Sequence, residues 1–478
     1  MIGRAAFALL LLWPAAVAGQ PLQQRVEAKL AEAGPGPRFG LVVATEDGRE
    51  LVAIQPEGRF IPASNTKVFT TAAAFAILTG LDAPDAQGGA SVGLEGPPAA
   101  PNVVLEGHGD ARLSSAADCR VDCLGMLADA VAARTKRVAA VIGDDRWFPD
   151  ERWSPGMSWN NIPTPSGTAV SALTLDDNEL VLTVTPAAPG APPRLDHLGY
   201  YSVDNRATTV AGAKSDLRVD RLPGSLVLRI SGTVAADAAP QRLRLGVDDP
   251  AHYAAWRLKA LLEARGVKVA GAAAARHRAL MPADDADAPP PSAAAPGPPP
   301  LARLTPPPLG EDIAVTNKVS QNLHAELLLR RIARVRGGGS IAQGLAAVRA
   351  TIARAGLPRP QYDFSDGSGM STYNRIAPRG MVTFLRWTAA QPWGAAWRRT
   401  LPVAGVEGTL ASRFKGTALE GKLAAKTGSL NGSAALSGFL TAKSGRTLVF
   451  SLLANDVPEG VSVSRAAEQA LLLVAGEN

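Results

Sequence analysis

Cysteine is nearly missing from this chain of 478 residues, which holds two, Cys119 and Cys123. That excludes a disulfide-dense scaffold. A pair with no further Cys or neighbouring His is not a zinc site either. The two residues either staple a short loop, worth roughly 2 kcal/mol in the chain-entropy model, or stay free thiols. Histidine is also scarce. His108, His197, His252, His277 and His324 lack ligand spacing, so no metal and no cofactor is implied. Neither sign of charge dominates: Lys+Arg 49 against Asp+Glu 43 leaves +6, too little to indicate a nucleic-acid partner. Beyond the N-terminus no apolar run approaches the ~20 residues that a membrane span needs. A Gly-x-Ser-x-Gly elbow is absent, which removes support for an α/β-hydrolase.

What is present points elsewhere. Hydrophobic residues make up 46%, enough for a large core. Gly 47 and Pro 38 form a share well above the usual ~12%, so loops are plentiful and a long coiled coil is excluded. The length suits two or three domains. Arg4, the apolar run Ala5 to Trp13 and the small residues Ala16-Val17-Ala18 read as a secretory signal peptide over residues 1–18. A retained anchor would need a longer apolar run. The mature chain is then exported and soluble, with two cysteines free to oxidise.

Along the chain, Gln23 to Ala33 reads as a helix. Phe39 to Val43 and Leu51 to Ile54 read as strands around an Asp47-Gly48 turn. An Ala-rich helix runs from about Ser64 to Leu78. Residues 86–175 and 249–284 read as an inserted α/β domain, with strands Val103–Leu105 and Val138–Ile142 and helices near 123–133 and 254–264. Residues 176–248 read as a β-rich insertion, with strands at 179–184 and 225–230. Pro-rich residues 285–304 form a stiff connector. Helices at 323–335 and 340–355 follow, then a meander of strands at 422–426, 434–440 and 448–453, and a closing helix at 464–474. The outer pieces, 19–85 and 305–478, make one interrupted α/β unit.

Three motifs carry chemistry. Ser64-x-x-Lys67 at a helix start puts a hydroxyl and an amine on one face. A serine nucleophile needs a base, and lysine serves only when neutral, which requires moving it from about 10.4 to about 7–8. A desolvated cleft and a second cation lower it that way. Ser320-Gln321-Asn322 precedes a helix, where N-capping is the ordinary role. Lys426-Thr427-Gly428, continuing into Ser429, sits on a strand and offers a cation, a hydroxyl and an open backbone. The stretch Gly416 to Leu423 nearly matches a phosphate-binding loop but lacks the hydroxyl residue that would hold magnesium.

Together, in this order and in these contexts, the motifs form the set of penicillin-binding proteins and class A β-lactamases, with Gln321 in place of Asp. The chain resembles the class C low-molecular-mass penicillin-binding proteins, the D-alanyl-D-alanine carboxypeptidase/endopeptidases of peptidase family S13. Gly107–Asp110, Gly143–Asp145, Asn317–Glu326, Asp366–Ser371 and Val403–Leu410 carry the likeness further, as does the gap of 253 positions from Lys67 to Ser320. The resemblance implies an α/β (α+β) transpeptidase-type fold, with an antiparallel sheet flanked by helices and two inserted domains. It implies Ser64 as nucleophile, Lys67 as base, and Ser320 as proton relay held by Lys67 and Lys426. Asn322 would hold the substrate amide and Thr427 its carboxylate, with Lys426 adding positive potential. Gly428 would leave room for the peptide, and the N–H groups of Ser64 and Ser429 would form the oxyanion hole. The implied partners are peptidoglycan stem peptides, with β-lactams as covalent inhibitors, and the implied location is the periplasm, free or loosely held at membrane or wall. Relatives often carry Arg where Thr372 stands and Asp where Asn161 stands, which leaves recognition of a diaminopimelate side chain open. Two other functions use the same residues. A β-lactamase or esterase would need a deacylating water. A non-catalytic wall-binding module would not need Ser64, Lys67, Ser320 and Lys426 intact.

Overall fold

The computed structural model describes residues 21–212, 214–289 and 299–478. The signal peptide expected over 1–18 and residues 290–298 of the expected connector lie outside the described residues.

Helix α1 (Leu22–Ala31) leads into strands Arg38–Thr45 and Glu50–Ile54. These join Leu423–Leu430, Ser433–Thr441 and Thr447–Asn455 in one antiparallel five-stranded sheet, with the last of these strands pairing Arg38–Thr45. The near-continuous apolar runs in these strands follow from burial on both faces. Leu41, Val43, Leu436, Phe450 and Leu452 face α1 and the closing helix. Val42, Ala44, Phe439, Val449 and Leu453 face the opposite way, against α2 (Thr66–Ile77) and its neighbours. Residues 66–74 of α2 are all buried, and such a helix needs apolar or small residues all round. The Ala-rich stretch supplies them.

The insertion begins after α2. Its five-stranded sheet runs Ala273–Arg276, Val141–Asp144, Asn102–Glu106, Ser91–Glu95, Ala302–Arg303. Helices α3 (Leu124–Arg134) and α4 (Pro250–Glu263) pack into its core. Two three-stranded sheets occupy residues 179–246. Three local expectations change. Val138–Ile142 is not one strand: Arg137–Val138 pairs with Lys268–Val269, and Val141–Asp144 pairs with Asn102–Glu106. The chain steps between sheets at Ala139-Ala140, whose carbonyls accept from Gly271 and Val103. Strand 225–230 starts two residues later, because Ser225 closes a turn on Leu222. Helix α4 starts before Ala254, at Pro250, capped by the Asp249 side chain on the His252 N–H at 2.9 Å. The connector also ends in structure, since Ala302–Arg303 is an edge strand against Ser91–Val92.

After the connector come α5 (Leu309–Lys318), α6 (Asn322–Arg334), α7 (Ile341–Arg354), α8 (Pro378–Ala389), α9 (Gly394–Arg398) and α10 (Ser464–Glu477). Cys119 and Cys123 are joined in a disulfide, closing a loop just before α3. Neither cysteine is among the residues that line the cleft around Ser64. Reduction should therefore cost at most about 2 kcal/mol of stability and leave penicillin acylation within about twofold, measured with and without reductant. Among the described residues no helix is long and apolar enough to cross a membrane.

Candidate active site

Ser64 sits in a single 3-10 turn, Ala63–Asn65, that feeds α2, and Lys67 lies one turn on. The spacing does what sequence suggests: Lys67 Nζ is 2.9 Å from Ser64 Oγ. Ser64 is half-buried, whereas Lys67 has no exposed surface. Lys67 Nζ is also 2.6 Å from Asn322 Oδ1 and 2.6 Å from the Ser368 carbonyl. The same asparagine donates from Nδ2 to the Ser166 carbonyl of the insertion, 3.0 Å away, which fixes its oxygen toward Lys67.

The middle motif divides its labour. Gln321 takes the capping role, with Oε1 accepting from the Leu323 N–H at 3.1 Å. Ser320 and Asn322 are thereby free to face the cleft. Ser320 adopts φ +65°, a strained conformation for a residue with a side chain, and its Oγ receives Lys426 Nζ at 2.9 Å. Lys426 also donates to the Thr427 carbonyl at 2.9 Å and has no exposed surface. The expected contact between Lys67 and Ser320 is replaced by the one to Asn322. Nζ has three positions besides its bond to carbon, whether they hold protons or a lone pair, and Ser64, Asn322 and Ser368 occupy all of them.

Two glycines bring the third motif and a further loop against Ser64. A Cβ on Gly428 would lie 2.6 Å from the Pro62 carbonyl, and one on Gly369 would lie 1.9 Å from that of Ala63. Gly369 has φ +92° and belongs to the Asp366–Ser371 stretch. The Asp366 carboxylate accepts from the N–H groups of Gly369 and Ser371 at 2.9 and 2.6 Å, folding this loop over the Lys67 side of the turn. Ser64, Ser166, Ser320, Asn322, Thr427, Gly428 and Ser429 line one cleft of about 440 Å³. Thr409 joins them, its hydroxyl 2.7 Å from that of Thr427. Three stretches far apart in the chain thus converge on one hydroxyl.

The match to the D-Ala-D-Ala carboxypeptidase 3 (S13) family runs over residues 22–477. The chain belongs to that family. It is a serine-type hydrolase of the D-alanyl-D-alanine carboxypeptidase class. A D-alanyl-D-alanine carboxypeptidase from Actinomadura sp. (strain R39) is 34% identical over 436 residues, 87% of this chain and 77% of the relative. A penicillin-sensitive carboxypeptidase A from Dictyostelium discoideum is 24% identical over 84% of this chain and 78% of its own length. The structure of penicillin binding protein 4 from Haemophilus influenzae matches with TM-score 0.76 at 21% identity, covering 93% of this chain and 97% of that one. At that identity the likeness shows the fold. The same protein complexed with a β-lactam matches with TM-score 0.69.

The electrostatics of this S13 peptidase follow from burial. Burial lowers the pKa of Lys67 to about 7, against the opposing pull of the Asp366 and Glu326 carboxylates. Lys426 is pushed well below the ordinary lysine range, first by burial and then by Lys67. Two ammonium groups in one dry site disfavour each other. Sequence reasoning missed Ser166, Ser368, Glu326 and Thr409. The first two act through carbonyls, which any residue type supplies. Glu326 and Thr409 lay inside stretches noted for likeness, with no chemistry attached. The Thr372 N–H and hydroxyl both donate to the Gly156 carbonyl at 3.0 Å, so this position ties the Asp366 loop to the insertion. The Asn161 carbonyl caps a turn at Thr164.

Proposed function

We propose that this S13 peptidase cleaves D-alanyl-D-alanine-type bonds of peptidoglycan stem peptides through an acyl-enzyme on Ser64, and that penicillins acylate the same serine. The coordination of Lys67 carries this reading. Asn322 Oδ1 and the Ser368 carbonyl can only accept hydrogen bonds. A neutral lysine has two N–H donors and one lone pair. With both donors committed, the lone pair faces the Ser64 hydroxyl at 2.9 Å. That is the arrangement of a nucleophile and its base.

Ser64 Oγ attacks the carbonyl carbon, and its proton passes to Lys67 Nζ. The N–H groups of Ser64 and Ser429 hold the oxyanion. As the C–N bond breaks, Ser320 gives its proton to the leaving amine and recovers one from Lys426, its partner at 2.9 Å. Water then attacks the ester carbon and gives a proton through Ser320 to Lys426, while Lys67 returns its proton to Ser64 Oγ as the acid departs. The substrate carboxylate docks at the Thr427 and Thr409 hydroxyls. Its negative charge favours the protonated form of Lys426, and a charged Lys426 favours a neutral Lys67. Substrate binding and base activation are thereby coupled. Residues 19–85 and 305–478 act as the peptidase unit, with 86–175, 249–284 and 176–248 as inserted domains. Export to the periplasm fits the N-terminal sequence.

Thr427→Val should raise KM for a carboxylate-bearing peptide about tenfold with kcat little changed, as expected for one lost hydrogen bond to a charge. The reading is tested by digesting purified stem pentapeptides and cross-linked dimers, with mass analysis of products. Release of D-alanine or cleavage of the cross-link by the intact protein supports it. Neither product appearing would contradict it.

A further inference from the structure

Glu326 lies one turn beyond Asn322 on α6, away from the cleft lining, and is 6% exposed. Its Oε1 accepts from the N–H groups of both Gly367 and Ser368, at 3.0 and 2.9 Å. Each N–H shares its peptide plane with the carbonyl before it, so this oxygen fixes the planes of the Asp366 and Gly367 carbonyls and anchors the backbone nitrogen of Ser368. The carbonyl of Ser368 lies 2.6 Å from Lys67 Nζ, in the plane whose Gly369 N–H is held by Asp366 at 2.9 Å. The Gly367 carbonyl is held in turn by Thr70 Oγ1 of α2 at 2.7 Å. Ser368 is therefore anchored from its carbonyl side by Asp366 and from its nitrogen side by Glu326, and Glu326 does so without touching the nucleophile.

Its charge acts on the same amine. Lys67 faces two carboxylates, Asp366 on the loop and Glu326 on α6, and one cation, Lys426 on the motif strand. Glu326 itself faces Asp366 and the buried Arg330, whose Nη1 lies 3.5 Å from Oε2. Arg330 reaches on to the Glu151 carbonyl in the insertion at 3.1 Å. Asp366 is held by N–H donors from its own loop and by Asn374 Nδ2 at 2.5 Å, so its geometry belongs to the loop. Glu326 is the carboxylate that joins α6, which carries Asn322, to the loop that carries the Ser368 carbonyl.

We propose that Glu326 is a positioning residue that sets the charge state of Lys67, both by anchoring Ser368, whose carbonyl meets Nζ, and by placing a buried negative charge on the helix face behind it. This rests on Lys67 being the base for Ser64. Without that charge Lys67 releases its proton more readily, but the neutral amine is a weaker base. Glu326 thus sets the pH at which the peptidase becomes active.

The test is the acylation rate with a fluorescent penicillin, followed across roughly pH 5 to 9. Glu326→Gln keeps an oxygen for Gly367 and Ser368 and removes the charge. Its ascending limb should move to the acid side by about one pH unit. Its plateau should fall below that of the native protein. Glu326→Asp, which keeps the charge, should restore the limb toward its original position. Gln at 326 leaves the Arg330 cation unpaired, so the double variant Glu326→Gln/Arg330→Gln removes both charges in case the single one does not fold. It should show the same acid shift. A uniform fall in rate with the limb unmoved would mean a purely structural role and overturn the proposal. A native protein with no ascending limb near neutral pH would remove the Lys67 reading itself, which is a different result.

Discussion

Lys67→Arg should leave a folded protein that penicillin acylates about 10³-fold more slowly, across the whole pH range. Arginine keeps the positive charge and adds donors for Asn322 and Ser368, but it offers no lone pair at any accessible pH. If Lys67 served only as a cation near the nucleophile, this variant would retain most of its activity. Lys67→Met, which fills the same space without charge, should lose a similar factor. The native protein should show the complementary pH dependence. Burial lowers the pKa of Lys67 to about 7, so the base is mostly protonated below that value and mostly neutral above it. Acylation should rise roughly tenfold between pH 6 and pH 8 and then level off. Stopped-flow labelling at a series of pH values reads both outcomes.

Lys426→Met should slow acylation about 10²–10³-fold, chiefly through kcat rather than KM. It removes the donor to Ser320 Oγ at 2.9 Å and the positive end of the cleft together. Stability should move the other way. The folded-state pKa of Lys426 lies well below its ordinary value, because the folded site excludes water and Lys67 stands beside it. The unfolded chain therefore binds the proton more tightly than the folded one, and folding is penalised at every pH below the ordinary lysine range. Methionine removes that penalty, so Tm should rise at pH 7, with the gain shrinking as pH approaches 10. Thermal melts at the two pH values check the sign. An enzyme that becomes slower and more stable on losing one buried cation holds that cation for its chemistry.

Much of the site could be read from the chain because the proposed chemistry depends on side-chain type. Ser64 and Lys67 stand three apart at a helix start, and their hydroxyl and amine meet at 2.9 Å. Ser320, Asn322 and Lys426 were readable for the same reason, and the five-stranded sheet because its apolar runs are unusually continuous. The acceptors around Lys67 were hidden, since the carbonyls of Ser368 and Ser166 carry no signature of residue type. The choice of Asn322 over Ser320 as partner of Lys67 follows from counting donors in three dimensions, and the φ of +65° at Ser320 follows from the tight passage out of α5. Gln321 carries a role that the motif does not show. It stands where the motif has Asp, and it caps α6 and releases its two neighbours for the cleft. The split at Ala139-Ala140 was invisible because both halves are apolar and each satisfies a different sheet.

The most direct measurement is to incubate the protein with a penicillin, digest it, and locate the adduct by mass spectrometry, with Ser64→Ala run in parallel. One adduct on the peptide carrying Ser64 is expected, with none on the alanine variant. An adduct on another residue, or labelling that persists in Ser64→Ala, would contradict acyl transfer through Ser64.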